Sequence, residues 1–182
     1  MTEFLFVLST VPTGLAILIS YVLVLGNALG TFPLDAHSGD YFSSPYWLGL
    51  PRSTGIALTV LQLMAACGYA VWLFWIASAP PLETSLLKTR TVRLFLTHTF
   101  LIASVLWPYA VYYFFQDRSM ARAIMACVPL WIASIAVILL VGGTFEAAAP
   151  PLPTLGILFL ALVVVLVDGV GWSAACIKQS VR

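Results

Sequence analysis

Long apolar stretches separated by short polar segments make up almost the whole chain. An α-helix rises 1.5 Å per residue and the hydrocarbon core of a bilayer is about 30 Å thick, so about 20 apolar residues cross it. The pattern therefore predicts an all-α fold, a polytopic membrane helix bundle of about five transmembrane helices in a single domain over residues 1–182. The predicted helices cover residues 4–28, 54–77, 92–115, 121–141 and 154–177.

Proline and glycine positions set the expected ends of these helices. Pro80-Pro81 follows the second stretch, and Gly142-Gly143 is expected to break the fourth, because both residue types are weak helix formers. Pro108 falls inside the third stretch, where its missing N–H predicts a bend. The first stretch lacks the basic start and short apolar region of a secretory signal, which predicts a first span rather than a cleaved peptide.

The first connection, residues 31–53, is long, polar and rich in aromatic residues. Phe32, Tyr41, Phe42, Tyr46 and Trp47 alternate there with prolines, serines and acidic residues. Aromatic rings with polar edges favour the membrane–water boundary. We expect this segment to lie at the interface or to fold back over the mouth of the bundle.

Composition restricts the classes of partner. The chain is 62% hydrophobic and 8% charged, and its mean hydropathy is +1.04, so membrane lipid is the expected solvent of a multi-pass integral protein. The net charge of +1 includes no run of Lys or Arg that could neutralise a row of phosphates, which excludes nucleic acid as a predicted partner. Nothing in the composition indicates which membrane holds the chain.

The distribution of basic residues predicts an orientation. With five spans, the two sides of the membrane receive unequal numbers of Lys and Arg, and the richer side is expected to be cytoplasmic. This places the C-terminus in the cytoplasm and the N-terminus outside. The C-terminal side carries Arg52, Arg118, Arg122, Lys178 and Arg182, and the opposite side carries Lys88, Arg90 and Arg93.

Groups that could perform catalysis are scarce. The spans contain a single histidine, His98, and a single clear carboxylate, Asp168, while His37 lies in the first connection. A metal site or an activated nucleophile needs more ligands or a paired base. The three cysteines, Cys67, Cys127 and Cys176, lie in apolar stretches and are interpreted as small hydrophobic residues. The sequence therefore predicts no enzyme activity, no metal and no cofactor.

Asp168 lies roughly 13 Å inside the end of the fifth predicted helix. A charge at that depth is costly. The favoured interpretation is structural: a protonated or hydrogen-bonded acid that joins helices, with Gln62 as its partner. The functional alternative is a carboxylate that carries a proton or pairs with a ligand, as a proton-coupled transporter would require.

Aromatic residues are unusually frequent, with six Trp, seven Tyr and eleven Phe. Belts at the membrane interface would account for Trp47, Trp75 and Trp172. They account less well for a group on the second and third helices, because Trp107 lies about 12 Å from the end of its helix. If this group faces inward, it forms an apolar pocket for a planar ring. The group comprises Tyr69, Trp72, Trp107, Tyr109, Tyr112 and Tyr113.

Two short stretches resemble a known family. Gly68-Tyr69-Ala70-Val71-Trp72-Leu73-Phe74-Trp75, and Leu106-Trp107-Pro108-Tyr109 with Phe114-Phe115, are similar to motifs in the second and third helices of the translocator proteins, also called tryptophan-rich sensory proteins. The resemblance implies five helices, a long first connection over the pocket mouth, and binding of sterols or porphyrins. Ser104 stands where that family has asparagine.

Two functions follow as hypotheses. The first is a membrane-embedded binder or carrier of a lipophilic, sterol- or porphyrin-like ligand, resembling the translocator proteins and acting alone or as a homodimer. The alternative is a non-catalytic accessory subunit of a larger membrane complex, in which the aromatic faces pack against partner helices. The candidate ligand-binding residues are Trp47, Tyr69, Trp72, Trp107, Tyr109, Tyr113 and Asp168.

Overall fold

The computed structural model describes residues 2–20, 45–47, 49–79, 82 and 85–181, and within them it is helical without a strand. This confirms the predicted all-α class. The remainder of the predicted first span, and the first connection up to residue 44, lie outside the described residues. The helices are α1 (Thr2–Ser20), α2 (Arg52–Ser78), α3 (Arg90–Gln116), α4 (Met120–Glu146) and α5 (Pro151–Ser180), with 3-10 turns at Pro45–Trp47 and Leu86–Lys88.

Four of these helices, α2 to α5, are long and apolar enough to cross a membrane, so the chain is an integral membrane protein. The connections between α3, α4 and α5 are short, which makes these neighbours antiparallel. The five helices form a ring in the order α1, α2, α5, α4, α3, because α2 packs mainly against α5 and α1 packs mainly against α3.

The contact between α2 and α5 is made by two glycines. A Cβ atom added to Gly68 would lie 2.7 Å from the carbonyl oxygen of Gly156, closer than any side chain could approach. The missing side chains therefore let the two backbones touch, as small residues do between membrane helices. Beyond this crossing the helices separate, since α2 packs extensively on Pro151–Ala161 and only slightly on Leu162–Trp172.

The predicted break at Gly142-Gly143 is wrong, because α4 continues through both glycines to Glu146. In lipid the helix satisfies its own backbone groups, and breaking it would expose them. Gly143 instead provides space for Leu87, whose side chain occupies the position that a Cβ would need. The Ser85 hydroxyl donates to the Gly143 carbonyl at 2.6 Å, and the Leu86 N–H donates to the Glu146 carboxylate at 2.6 Å.

Arg93 fixes the turn between α2 and α3. Its Nε donates to the Leu87 carbonyl at 2.7 Å, and its Nη1 donates to the carbonyls of Ile76 at 3.3 Å and Ala79 at 3.2 Å. These are carbonyls that the end of a helix leaves without an intrahelical partner. Arg93 is only 7% exposed, so it acts as a buried helix cap as well as a flanking positive charge.

The core consists of two hydrophobic clusters stacked along the bundle. The first cluster surrounds Trp72 at the end where α2 meets α3, and it includes Ile76, Phe100, Leu140 and Val164. The second cluster lies toward the opposite end and includes Trp47, Trp107, Phe114, Cys127 and Cys176. The buried polar residues Ser134 and Asp168 lie where the two clusters meet.

Candidate ligand-binding site

Four aromatic residues from three separate parts of the chain form one packed group, hereafter the aromatic cluster: Tyr46, Trp47, Trp107 and Trp172. The Tyr46 ring lies 5.1 Å from Trp47 and 5.3 Å from Trp107, and the Trp107 ring lies 5.3 Å from Trp172. All three contacts are edge-to-face, the arrangement that the charge distribution of aromatic rings favours.

A short turn carries Tyr46 and Trp47 onto the bundle. The Leu50 N–H donates to the Trp47 carbonyl at 2.9 Å, and Gly49 adopts a φ of 77°, which favours glycine. The Trp172 indole N–H donates to the Tyr46 carbonyl at 3.3 Å and ties the turn to α5. Trp47 is 4% exposed, so its assignment to a lipid-facing interface belt is wrong. It packs against Tyr46 and belongs to the second hydrophobic cluster, because the turn folds inward.

Asp168 lies in an unusual stretch of α5. Residues Leu162–Trp172 form a π-helix between two α-helical ends. Such wide turns occur often at functional sites. Two side chains of α4 bond the backbone of this stretch: the Trp131 indole N–H donates to the Gly169 carbonyl at 3.2 Å, and the Ser134 hydroxyl donates to the Val164 carbonyl at 3.0 Å. Gly169 permits this packing, because a Cβ there would collide with Ser134.

The Asp168 carboxylate is buried, with 8% of the residue exposed. Across the described residues, it accepts no hydrogen bond and forms no ion pair. The predicted hydrogen bond between Gln62 and Asp168 is therefore wrong. The Gly68–Gly156 crossing explains why: with antiparallel helices, Gln62 lies level with a residue about six positions before Asp168, or roughly 9 Å away along the axis.

Asp168 and the aromatic cluster are adjacent along α5. The Ser173 N–H bonds back to the Asp168 carbonyl, so Trp172 and Asp168 lie within one π-helical turn. On the same helix, Val164 belongs to the first hydrophobic cluster and Cys176 to the second. Asp168 is thus located at the junction of the clusters, within one π-helical turn of Trp172. An acid one helical turn from an aromatic cluster can hold a ligand that has both an apolar body and a polar or charged group.

Tyr69 and Trp72 lie apart from this site, in the first cluster. Their rings stack at 6.0 Å, and Tyr69 contacts Phe100 at 5.4 Å. The Trp72 indole N–H donates to the Thr144 hydroxyl at 2.8 Å, and Trp72 has no exposed surface. The Tyr69 hydroxyl is buried and has no hydrogen-bond partner among the residues the structure describes.

The expected tyrosines of α3 are divided: Tyr112 is partly buried against the second cluster, whereas Tyr109 and Tyr113 face away from the interior. Tyr109 is 41% exposed and Tyr113 is 56% exposed. The predicted site residues therefore fall into three places: Trp47, Trp107 and Asp168 near one another, Tyr69 and Trp72 in the first cluster, and the two tyrosines outside. Sequence reasoning missed Tyr46 and Trp172 as members of the site, although the position of Trp172 four residues after Asp168 was a usable signal.

Other features add no chemistry to the site. The His98 ring is half-buried, and its Nδ1 lies 2.8 Å from the Leu94 carbonyl of its own helix. Cys67, Cys127 and Cys176 are free thiols. Within residues 2–20, 45–47, 49–79, 82 and 85–181, no three His, Cys, Asp or Glu side chains are grouped as metal ligands.

An apolar groove of about 320 Å³ lies between α4 and α5 on their outer faces. All of its walls are aliphatic, and they provide no group that would orient a ligand. Its chemistry fits any lipid chain. The walls are Ile138, Val141, Leu158, Ala161, Leu162, Val165 and Leu166.

Comparison with known proteins gave no relative: no family model, curated protein or solved structure matches this chain.

Proposed function

We propose that this protein is a membrane-embedded binder or carrier of a lipophilic ligand, which it holds at the aromatic cluster. The observation that carries the proposal is the position of Asp168, a buried carboxylate without a described partner, within one helical turn of Trp172, whose ring packs on Trp107. Ionisable groups inside a membrane bundle are costly, and they are retained mostly at ligand or ion sites.

The aromatic cluster supports a ligand with a flat apolar body. Tyr46, which itself packs against Trp47, contacts Trp107 from the first connection, and Trp172 packs on Trp107 from α5. A sterol or porphyrin ring would replace ring–ring contacts with contacts of the same kind. The resemblance of the Trp107 stretch to the translocator proteins supports the same ligand classes. Trp47 acts as the lid in this proposal, and Trp107 and Trp172 act as the walls.

The test is to titrate the purified protein with a porphyrin and, separately, with a fluorescent sterol, and to follow the quenching of tryptophan emission. Wild type should show saturable quenching, and Trp107→Leu should lose it. Trp72→Leu is the matched control, because it removes an equally buried tryptophan from the other cluster. Saturable quenching that survives in Trp107→Leu would contradict binding at the aromatic cluster, and its absence in wild type would exclude the sterol and porphyrin classes of ligand.

The exposed Tyr109 and Tyr113 of α3 support the alternative function, an accessory subunit of a larger complex. Tyr109 lies well inside α3, so its exposed side chain places a hydroxyl group at membrane depth. A partner helix could satisfy that hydroxyl, whereas lipid tails could not. The two functions differ in detergent: a binder stays monodisperse as a monomer or homodimer, and an isolated subunit aggregates or co-purifies with its partners.

A further inference from the structure

We propose that the ligand of this site is a lipophilic organic cation, with Asp168 as its counter-ion and the aromatic cluster around its apolar groups. This inference rests on the proposed function and names its ligand class. It combines three observations. Asp168 can carry a negative charge, no basic side chain among the described residues pairs with it, and the aromatic cluster lies near it in the bundle.

None of the basic side chains that the structure describes forms an ion pair with Asp168, and four of them interact with other groups. Arg93 donates to three backbone carbonyls near the α2–α3 turn, at the far end of the bundle. Arg122 lies 3.4 Å from Asp117 and donates to the Tyr113 carbonyl. Arg118 lies over the Phe115 ring at 5.6 Å. His98 bonds within α3. None of these groups neutralises Asp168.

A negative charge on Asp168 has to be balanced at membrane depth. A carboxylate that is buried without a partner is strongly destabilising when ionised, and a cation that enters the site removes that cost. The cation must be lipophilic, because the walls next to Asp168 are hydrophobic clusters and it has to reach the site through lipid or the bundle mouth. A small hydrated ion would need several oxygen ligands, and among the described residues Asp168 belongs to no group of three His, Cys, Asp or Glu side chains.

The rings of the aromatic cluster also favour a cation. Aromatic faces attract organic cations, with tryptophan the strongest, and the attraction increases when water is excluded. Trp172 lies within one helical turn of Asp168 on α5, and its ring packs on Trp107 of α3. A carboxylate together with such rings selects positive charge on an apolar body, which a neutral sterol does not have.

Helix α2 makes few contacts with the stretch of α5 that contains Asp168. Leu58 of α2 is partly buried against the second cluster, while α2 touches the π-helical stretch only slightly. A bulky cation that entered between α2 and α5 near Asp168 would therefore displace few α2 contacts, and the extensive contact on the other side of the crossing would stay.

The experiment compares two probes of the same shape and opposite charge, tetraphenylphosphonium and tetraphenylborate, by equilibrium dialysis of the protein in a non-ionic detergent. Wild type should bind the phosphonium saturably and more tightly than the borate. Asp168→Asn should weaken phosphonium binding at least about tenfold, and Asp168→Glu should retain the preference for the cation. Asp117→Asn is the matched control, since it removes an exposed carboxylate that is paired with Arg122. Size-exclusion profiles establish that each variant is folded.

Each outcome separates this inference from the function on which it rests. Equal binding of the two probes, or phosphonium binding unchanged in Asp168→Asn, overturns the cation inference. If the porphyrin or sterol binds through Trp107 and the phosphonium does not bind, the cation inference fails and the proposed function stands. If no probe binds wild type, both fail. Phosphonium binding that requires Asp168, without porphyrin or sterol binding, supports the inference and narrows the ligand class.

Discussion

Gly68 on α2 and Gly156 on α5 contact each other through their backbones, and a Cβ atom on Gly68 would lie 2.8 Å from the Gly156 Cα. This contact determines where the two helices cross and where they begin to separate. The separation leaves α2 with few contacts to the stretch of α5 that contains Asp168 and Trp172.

The glycine crossing predicts a large response to a single methyl group. Gly68→Ala should destabilise the protein by about 1–3 kcal/mol, because backbone atoms of α5 must move to accept the new carbon. Gly142→Ala is the control: no atom lies within 4 Å of its new Cβ, and the substitution should be neutral or stabilising. Thermal unfolding in detergent measures both. Similar unfolding temperatures for the two variants would contradict the close contact.

Leu87 and Gly143 form a pair whose sizes are complementary. Gly143→Ala should cost about 1–3 kcal/mol by collision with the Leu87 side chain. Leu87→Ala should cost about 2–5 kcal/mol by leaving a cavity. The double variant should be more stable than the sum of the two losses predicts, because the shortened side chain makes room for the new methyl group. Additive losses would show that the two positions are independent.

The bond from Trp72 to Thr144 joins α2 to α4 across the first cluster. Thr144→Val keeps the shape of the side chain but leaves the buried indole N–H without its acceptor, which should cost about 1–3 kcal/mol. In a Trp72→Phe background the same substitution should cost much less. A double-mutant cycle on unfolding free energy measures the coupling, and zero coupling would refute the bond.

Asp168 is expected to cost stability rather than provide it, because no described group bonds its carboxylate. Asp168→Asn should fold, and Asp168→Leu should be as stable as wild type or up to about 4 kcal/mol more stable. Detergent unfolding of the three proteins provides the comparison. If leucine prevents folding while asparagine does not, the carboxylate makes a structural hydrogen bond and the ligand proposals lose their main support.

The order of spans is testable by labelling single cysteines from either side of the membrane. Lys88 precedes α3 and Asp117 follows it, so cysteines at these positions should be labelled from opposite sides. A Cys67→Ser background removes the exposed native thiol, and Cys127 and Cys176 are buried. Labelling of both introduced cysteines from the same side would exclude α3 as a transmembrane helix.

The sequence by itself determined the helices. Apolar runs of sufficient length have no alternative in lipid to a helix that satisfies its own backbone, so the all-α class follows from hydropathy alone. The same local reasoning was wrong at Gly142-Gly143, because the glycine penalty measured in water is smaller than the cost of exposing backbone groups in a membrane. Gly143 was also needed for packing against a residue more than fifty positions away.

Only the tertiary structure decided which aromatic residues meet. Spacing shows that Tyr109 and Tyr113 share a face of α3, but it cannot show whether that face is directed inward. That depends on the ring order of the helices, in which α3 packs on α4 and α1. The same order brings Trp107 to Trp172, which are distant in sequence, and the glycine crossing sets Gln62 at a different depth from Asp168. Contacts between helices determine the register and the rotation of each helix relative to its neighbours, and the sequence of a single helix specifies neither.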